Sequence, residues 1–338
     1  MFNETKIAVD AMGGEGAPKK TIDGIIKHYK KAKNVVYNIF GNQDEIEAIL
    51  PNNFDKEVFR LFHTTDKILD TDTALTAAKR GKNTSMWKAI ESVKKGESDI
   101  IISAGNTGAL FVIAKLNLEM IENIDKPALS ALWPNKKGMN IVLDLGANIE
   151  CNEKNLLDFS IMGSSLFKSL YPNENPEVAL LNIGSEELKG NETIKNAYKI
   201  INDKKNKNFN FNGYVEGNHI MDGENNVIVT DGFTGNVALK TAEGTANFII
   251  KEFKNSMTSN LIGKISSLLN LRNINKIKDK LDPRLYNGAI LIGLNAPVVK
   301  SHGSTDFIGF ANSLNVCEKI IQGNLINKIK DNISLNEN

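Results

Sequence analysis

The chain has 338 residues, 41% of them hydrophobic, which is enough for one large α/β unit or two smaller domains with packed cores. Its 41 Lys and Arg nearly balance 40 Asp and Glu, so no global charge points to nucleic acid and any charged partner surface must be local. The two cysteines, Cys151 and Cys317, stand apart with no CxxC and no zinc-spaced histidine, which argues against a disulfide framework and favours a reducing compartment.

The polar start Met1–Lys6 is too short for a signal peptide and runs straight into a first strand at Ile7-Ala8-Val9. One unit then recurs: a short apolar run, a loop of Gly, Asn, Ser, Thr and Asp, and a segment of helical period. Lys6–Val9 leads into Asp10-Ala11-Met12-Gly13-Gly14, with Pro18 placed for a first helical turn. Val35–Phe40 ends in Gly41-Asn42. Lys82-Asn83-Thr84-Ser85 precedes a helix from about Met86, and Ile100–Ser103 runs into Ala104-Gly105-Asn106-Thr107-Gly108 and a helix to about Met120. Ile141–Leu143 ends in Asp144-Leu145-Gly146-Ala147-Asn148, Val178–Leu181 in Asn182–Ser185, and Val227–Thr230 in Asp231-Gly232-Phe233-Thr234-Gly235-Asn236. The last runs, Ala289–Leu294 and Val298-Val299, lead into Ser301-His302-Gly303-Ser304.

Such alternation predicts βαβ units and a mainly parallel sheet covered on both faces. If every strand delivers its loop to one edge, these scattered loops converge on one cleft. Asp203–Asn212, rich in Lys and Asn, reads as an exposed loop, and residues 331–338 as a polar tail behind a single domain spanning 1–330. Within 253–282, Phe253, Met257, Leu261, Ile265 and Leu268 recur at helical spacing between basic residues. This region reads as an amphipathic helical protrusion, broken near Asn270. It could pack on the core, form a dimer interface or lie on a membrane surface.

Strand-to-helix loops of small residues gather backbone N–H groups and a positive helix end, the elements of an anion site. Ser103–Gly108 is the best local case, although an ordinary capped βα turn has the same composition. Lys82–Ser85 is either a second anion contact or an N-cap, and Lys189 within Gly184–Asn191 is either a ligand or a solvated surface charge. Asp231 could be a base, an orienting group or a helix cap. His302 is the one histidine placed like a catalytic group, with a structural loop role as the alternative. Neither a GxGxxG fingerprint nor a Walker sequence is present, which disfavours a nucleotide cofactor. Without a GxSxG elbow or a cysteine motif, a covalent acyl-enzyme lacks support.

Taken together in order, several segments resemble the bacterial phosphate acyltransferase family PlsX. They are Ile7–Gly14 with Ala17-Pro18, Lys82–Met86, Ile102–Leu110, Lys126-Pro127-Ala128 and Leu143–Asn148, followed by Lys189-Gly190-Asn191, Val229–Asn236, Ala296-Pro297 and His302-Gly303-Ser304. The resemblance spans about residues 5–325. Departures are Glu15 where the family usually has Asp, Asn218 where it usually has Arg, and Asn287-Gly288 in place of a Gly pair.

The resemblance implies a three-layer αβα Rossmann-like fold similar to isopropylmalate dehydrogenases. It also implies a cytoplasmic, peripherally membrane-associated homodimer that turns acyl-acyl carrier protein and inorganic phosphate into acyl phosphate for phospholipid synthesis. Acyl carrier protein, an anionic membrane surface and the downstream acyl-phosphate-dependent glycerol-3-phosphate acyltransferase are the partners to expect, with no nucleic acid, cofactor or metal.

On this reading phosphate and substrate contacts come from Gly13, Gly14, Lys82, Asn83, Ser85, Ser103, Gly105, Asn106, Thr107, Gly108, Asp144, Asn148, Asn191 and Thr234. His302, Asp231, Asn236 and Lys189 are the catalytic candidates, and Leu261, Ile265 and Leu268 the membrane contacts. Phosphate is already nucleophilic, so the protein mainly positions it and stabilises the oxyanion formed on attack. Three rivals remain: a phosphate acetyltransferase using acetyl-coenzyme A, a metal- and NAD-dependent dehydrogenase, and a non-catalytic adaptor holding carrier protein at the membrane.

Overall fold

The alternation of side chains along β1 (Thr5–Asp10) shows how the core is built. Ile7 and Val9 enter the cluster on one face of the sheet, Ala8 the cluster on the other, and all three are fully buried. Both faces of this strand are covered, the mark of a parallel α/β sheet. A computed structural model describes residues 4–32, 34–69, 71–204, 208–260, 269, 270, 272 and 282–335.

After β1 come α1 (Lys19–Tyr29), β2 (Val35–Gly41), α2 (Gln43–Glu47), β3 (Phe59–His63), α3 (Ala74–Arg80), α4 (Ser85–Lys94), β4 (Ile100–Ser103) and α5 (Thr107–Leu118). The chain continues through β5 (Ala128–Pro134), β6 (Met139–Leu143), α6 (Glu153–Leu170), β7 (Glu177–Asn182), α7 (Glu192–Asp203), β8 (Asn210–Glu216) and β9 (Val227–Val229). It ends with α8 (Gly232–Thr258), β10 (Ala289–Ile292), β11 (Val298–Lys300), α9 (Phe307–Gln322) and α10 (Leu325–Leu335). One 11-stranded sheet has the order β3-β2-β1-β4-β11-β10-β5-β6-β9-β7-β8. Residues of α1, α6, α7, α9 and α10 pack on one face, and those of α4, α5 and the start of α8 on the other, giving three αβα layers. The mainly parallel, helix-covered sheet expected from the sequence is present.

The expectation of a single loop-bearing edge is not met. Strands β3, β2, β1, β4 and β11 are mutually parallel, as are β6, β9, β7 and β8. Between the two blocks, β11–β10, β10–β5 and β5–β6 are antiparallel. Three reversals leave the second block running opposite to the first. Loops after β1, β4 and β11 therefore leave one edge of the sheet, and those after β6, β7 and β9 leave the other.

Three boundaries also differ. Asn210–Asn212 belong to β8, with the buried Phe209 anchoring its entry, so the expected exposed loop is partly strand. Residues 331–335 are no tail: they finish α10, where Ile333 is buried and the Asn332 amide donates to Ser165 Oγ at 2.9 Å. The segment around Phe253 is the end of one 27-residue helix that begins at Gly232. Leu261, Ile265 and Leu268 lie outside the described residues.

Candidate active site

At the first edge, β1, β4 and β11 lie side by side with Asp10 opposite Ser103 and Ser103 opposite Lys300. Asp10 is 1% exposed, and its two oxygens accept the Ser85 and Ser103 hydroxyls at 2.6 Å each. Burial pushes its carboxyl above the usual value, while those hydroxyls, the Met12 amide and the charge of Lys300 pull the other way. Ser103 Oγ in turn accepts the Gly105 amide at 3.0 Å. Ser85 and Ser103, expected to face phosphate, are fully buried and donate to Asp10 instead.

Above this floor the loops approach closely. A Cβ on Gly13 would lie 2.6 Å from the Gly105 nitrogen, so only glycine fits there. Gly14, at φ +83°, lets the chain turn past Ala104 and Gly303. The Glu15 amide (3.0 Å) and Lys20 Nζ (2.6 Å) both donate to the Gly303 carbonyl. Asn287 fixes the loop from below: its amide donates to Ser301 Oγ, and its Oδ1 accepts the His302 N–H at 2.9 Å. The resulting cavity is about 450 Å³. On one side it is lined by Ala104–Gly108 at the head of α5, and on the other by Glu15, Lys300 and His302-Gly303-Ser304.

Within the cavity wall, Asn106 is the N-cap of α5, its Oδ1 accepting the Ala109 amide at 3.0 Å while its Nδ2 donates to the Asp72 carbonyl at 2.9 Å. Thr107 and Gly108 are exposed at the helix head. The His302 side chain is exposed, and its Nδ1 lies 3.0 Å from Ser304 Oγ and accepts the Ser304 amide at 3.3 Å. Accepting at Nδ1 puts the proton of a neutral ring on Nε2, so the ring can present an N–H to a substrate oxygen or a leaving sulfur. Lys300 Nζ reaches the Ala104 carbonyl at 3.3 Å and also contacts the Ser301 carbonyl.

The remaining expected residues lie elsewhere. Asp144 is fully buried at the other edge, where its carboxylate accepts the amides of Leu129, Gly146, Ala147 and Asn148 and the Asn148 side chain. Asp231 caps α8 by accepting the Thr234 amide at 2.8 Å and the Thr234 hydroxyl at 2.7 Å. The Asn236 amide donates to the Leu145 carbonyl, tying α8 to the same loop. Asn191 caps α7 and Lys189 is exposed beside it. On the first edge, Lys82 and Asn83 are exposed in the turn before α4 and do not line the cavity. Thus Gly13, Gly14, Gly105–Gly108 and His302 come together, with Ser85 and Ser103 beneath them. Asp144, Asn148, Asp231, Thr234 and Asn236 form a separate cluster at the other edge, both of whose carboxylates are engaged in holding loop or helix ends, and Lys189 and Asn191 lie on the loop after β7 at that same edge.

Lys300, Glu15 and Ser304 line the cavity and Asp10 supports it, yet sequence reasoning chose none of them. The available signal was a lysine at the last residue of the strand preceding His302, where its side chain is carried to the loop edge. Cys151 is half-buried, with burial and the nearby Asp144 pushing its thiol up to about 11, and Cys317 is buried in the core. Among the described residues no cluster of His, Cys, Asp and Glu could hold a metal ion.

The family model described as fatty acid synthesis protein matches residues 5–328. A phosphate acyltransferase of Pelagibacter ubique strain HTCC1062 is 66% identical, over 97% of this chain and 98% of its own. By structure the chain is similar to the EutD phosphotransacetylase from Staphylococcus aureus, with a TM-score of 0.63, 14% identity and 94% of each chain covered. It is also similar to a 4-hydroxythreonine-4-phosphate dehydrogenase from Klebsiella pneumoniae, with a TM-score of 0.51, 12% identity and coverage of 94% and 99%. One fold carrying a transacylase and a dehydrogenase cannot choose between their chemistries. The sequence match does choose: this chain belongs to the fatty acid synthesis protein family, that of the phosphate acyltransferases.

Proposed function

We propose that the protein transfers an acyl group from acyl-acyl carrier protein to inorganic phosphate in the cavity between the head of α5 and the 300–304 loop. The observation that carries this reading is the cavity itself. A polar pocket of about 450 Å³ opens on the N-terminus of a 12-residue helix, where exposed backbone amides favour an anion, and faces a histidine across the gap.

A phosphate oxygen attacks the thioester carbonyl, a tetrahedral oxyanion forms, and the carbon–sulfur bond breaks to release acyl phosphate and the carrier thiolate. That thiolate takes a proton on release. A thiol with a pKa of about 8.5 leaves readily, so the His302 Nε2–H has a modest task, whether it meets the sulfur or the oxyanion. Neither cysteine is placed to form an acyl-enzyme.

Helix α8 supports a peripheral membrane or subunit contact. Phe248, Ile249, Ile250 and Phe253 are each about half or more exposed along it. Among the described residues no helix is long and apolar enough to span a bilayer, which fits attachment by a surface helix. The protein in this reading is cytoplasmic, dimeric and peripheral, and hands acyl phosphate to a glycerol-3-phosphate acyltransferase.

The product identifies the reaction. Palmitoyl-acyl carrier protein and phosphate should give a new acyl-phosphate signal in ³¹P NMR, with no metal added. Acyl-phosphate formation from acetyl-coenzyme A but not from the carrier protein would replace this donor with the short-chain one.

A further inference from the structure

We propose that Lys300 is the residue that binds phosphate by charge, an assignment that rests on reading this cavity as the acyltransfer site. A phosphate dianion seated at the head of α5 would share the cavity with Glu15, an exposed acidic residue of its lining, and would lie above the buried Asp10. Helix-end amides offer a dianion only partial positive charge. Among the described residues that line the cavity, Lys300 is the one Lys or Arg.

Its position is fixed by the fold. As the last residue of β11, Lys300 pairs in register with Ser103 at the end of β4, so its chain starts level with the floor of the cavity. The amine reaches the Ala104 carbonyl at 3.3 Å, directly before Gly105, and lies within electrostatic reach of Asp10. Asp10 also holds Ser103, which holds the Gly105 amide. Asp10 thus reaches the first residue of the anion-binding loop through Ser103, while Lys300 is held beside that loop by the Ala104 and Ser301 carbonyls. Lys20 lies behind this wall: it is buried and donates to Gly303. Lys82 and Lys189, the cations suggested by sequence motifs, are exposed and outside the lining.

The test is the phosphate dependence of Lys300→Met and Lys300→Arg, with Lys300→Gln as a second neutral variant should the Met variant fail to fold. In the neutral variants the KM for phosphate should rise on the order of 10- to 100-fold, the scale of a lost charge-assisted hydrogen bond, while the KM for the acyl donor stays near wild type. Lys300→Arg, which keeps the charge, should recover most of that loss. Independently of turnover, inorganic phosphate should raise the thermal midpoint of the wild type but not of Lys300→Met.

An unchanged phosphate KM and an unchanged thermal shift in the neutral variants overturn the assignment, as does a rise confined to Lys82→Met or Lys189→Met. Loss of the thermal shift in Lys300→Met, in a wild type that shows no phosphate-dependent acyl release, would keep Lys300 as the anion ligand and remove the acyltransfer reading.

Discussion

At the scale of residues, Asn106 and His302 do different work. Asn106 joins α5 to the turn at Asp72 through its cap and its bond to the Asp72 carbonyl, so it holds the head of the helix in place. Asn106→Ala should remove about 1 kcal/mol of capping and lower the thermal midpoint by a few degrees. Its turnover should fall by roughly tenfold as the amides lose their aim, since misplaced groups forfeit much of the advantage of orientation. His302 makes no contact on which the core depends, so His302→Ala should leave the midpoint unchanged. Its kcat should drop by roughly 10- to 100-fold, the low end for acid–base catalysis because the thiolate leaves easily. Steady-state kinetics on both variants check this, and wild-type turnover in both would put the chemistry elsewhere. The sequence marked these two residues because each sits beside glycines at a strand end. It could not show that Ser85 and Ser103 spend their protons on Asp10, because that bond joins residues 75 and 93 positions apart.

At the scale of elements, the strands were legible wherever an apolar run met a Gly-rich loop. Their directions were not. Nothing in the period of Ala128–Pro134 or Ala289–Ile292 says that these strands run antiparallel to their neighbours. That reversal carries Asp144, Asp231 and Asn236 to the far edge. Helix α8 shows a related limit. Its apolar spacing was visible from Phe253 onward and Asp231 was legible as a possible cap, but the small residues Gly232, Gly235, Ala238 and Ala242 hid that one helix joins the two. They are small because the helix start sits against the loop at Asp144, where a Cβ on Gly235 would lie 1.9 Å from the Asp144 carbonyl oxygen. The outer half carries exposed Phe248 and Phe253. Replacing both with Glu should reduce binding to vesicles containing anionic lipid by tenfold or more, since each buried aromatic contributes roughly 1.5–3 kcal/mol. Soluble-donor turnover should persist, and unchanged vesicle sedimentation would count against a membrane role for this helix.

At the scale of the whole molecule, the two ends of the chain are joined across one face by His28 of α1. Its Nδ1 lies 2.7 Å from Tyr37 Oη of β2, and its Nε2 is 3.3 Å from Glu318 of α9. Burial outweighs a side-chain hydrogen bond with Asn315, which pulls the other way, and lowers the His28 pKa to about 4, so the ring is neutral in the folded protein near pH 7. In the unfolded chain the ring binds a proton below about pH 6.5. Stability is therefore complete above that value and is lost as pH falls from 6.5 towards 4, by about 3 kcal/mol in all. Urea unfolding at pH 7.5 and 5 should show this loss, and His28→Gln should flatten it. An equal slope in the variant would assign acid sensitivity to other groups.

Acyl transfer is proposed for the first loop cluster, with its cavity; in the second, Asp144 and Asp231 tie loop and helix ends together. The most direct measurement is release of free carrier-protein thiol from palmitoyl-acyl carrier protein as phosphate is varied. Release that requires phosphate and saturates with it is the predicted result. Release at the same rate without phosphate would mean hydrolysis, and none at all, with carrier protein still bound, would make the protein an adaptor. Either of those outcomes contradicts the acyltransfer account.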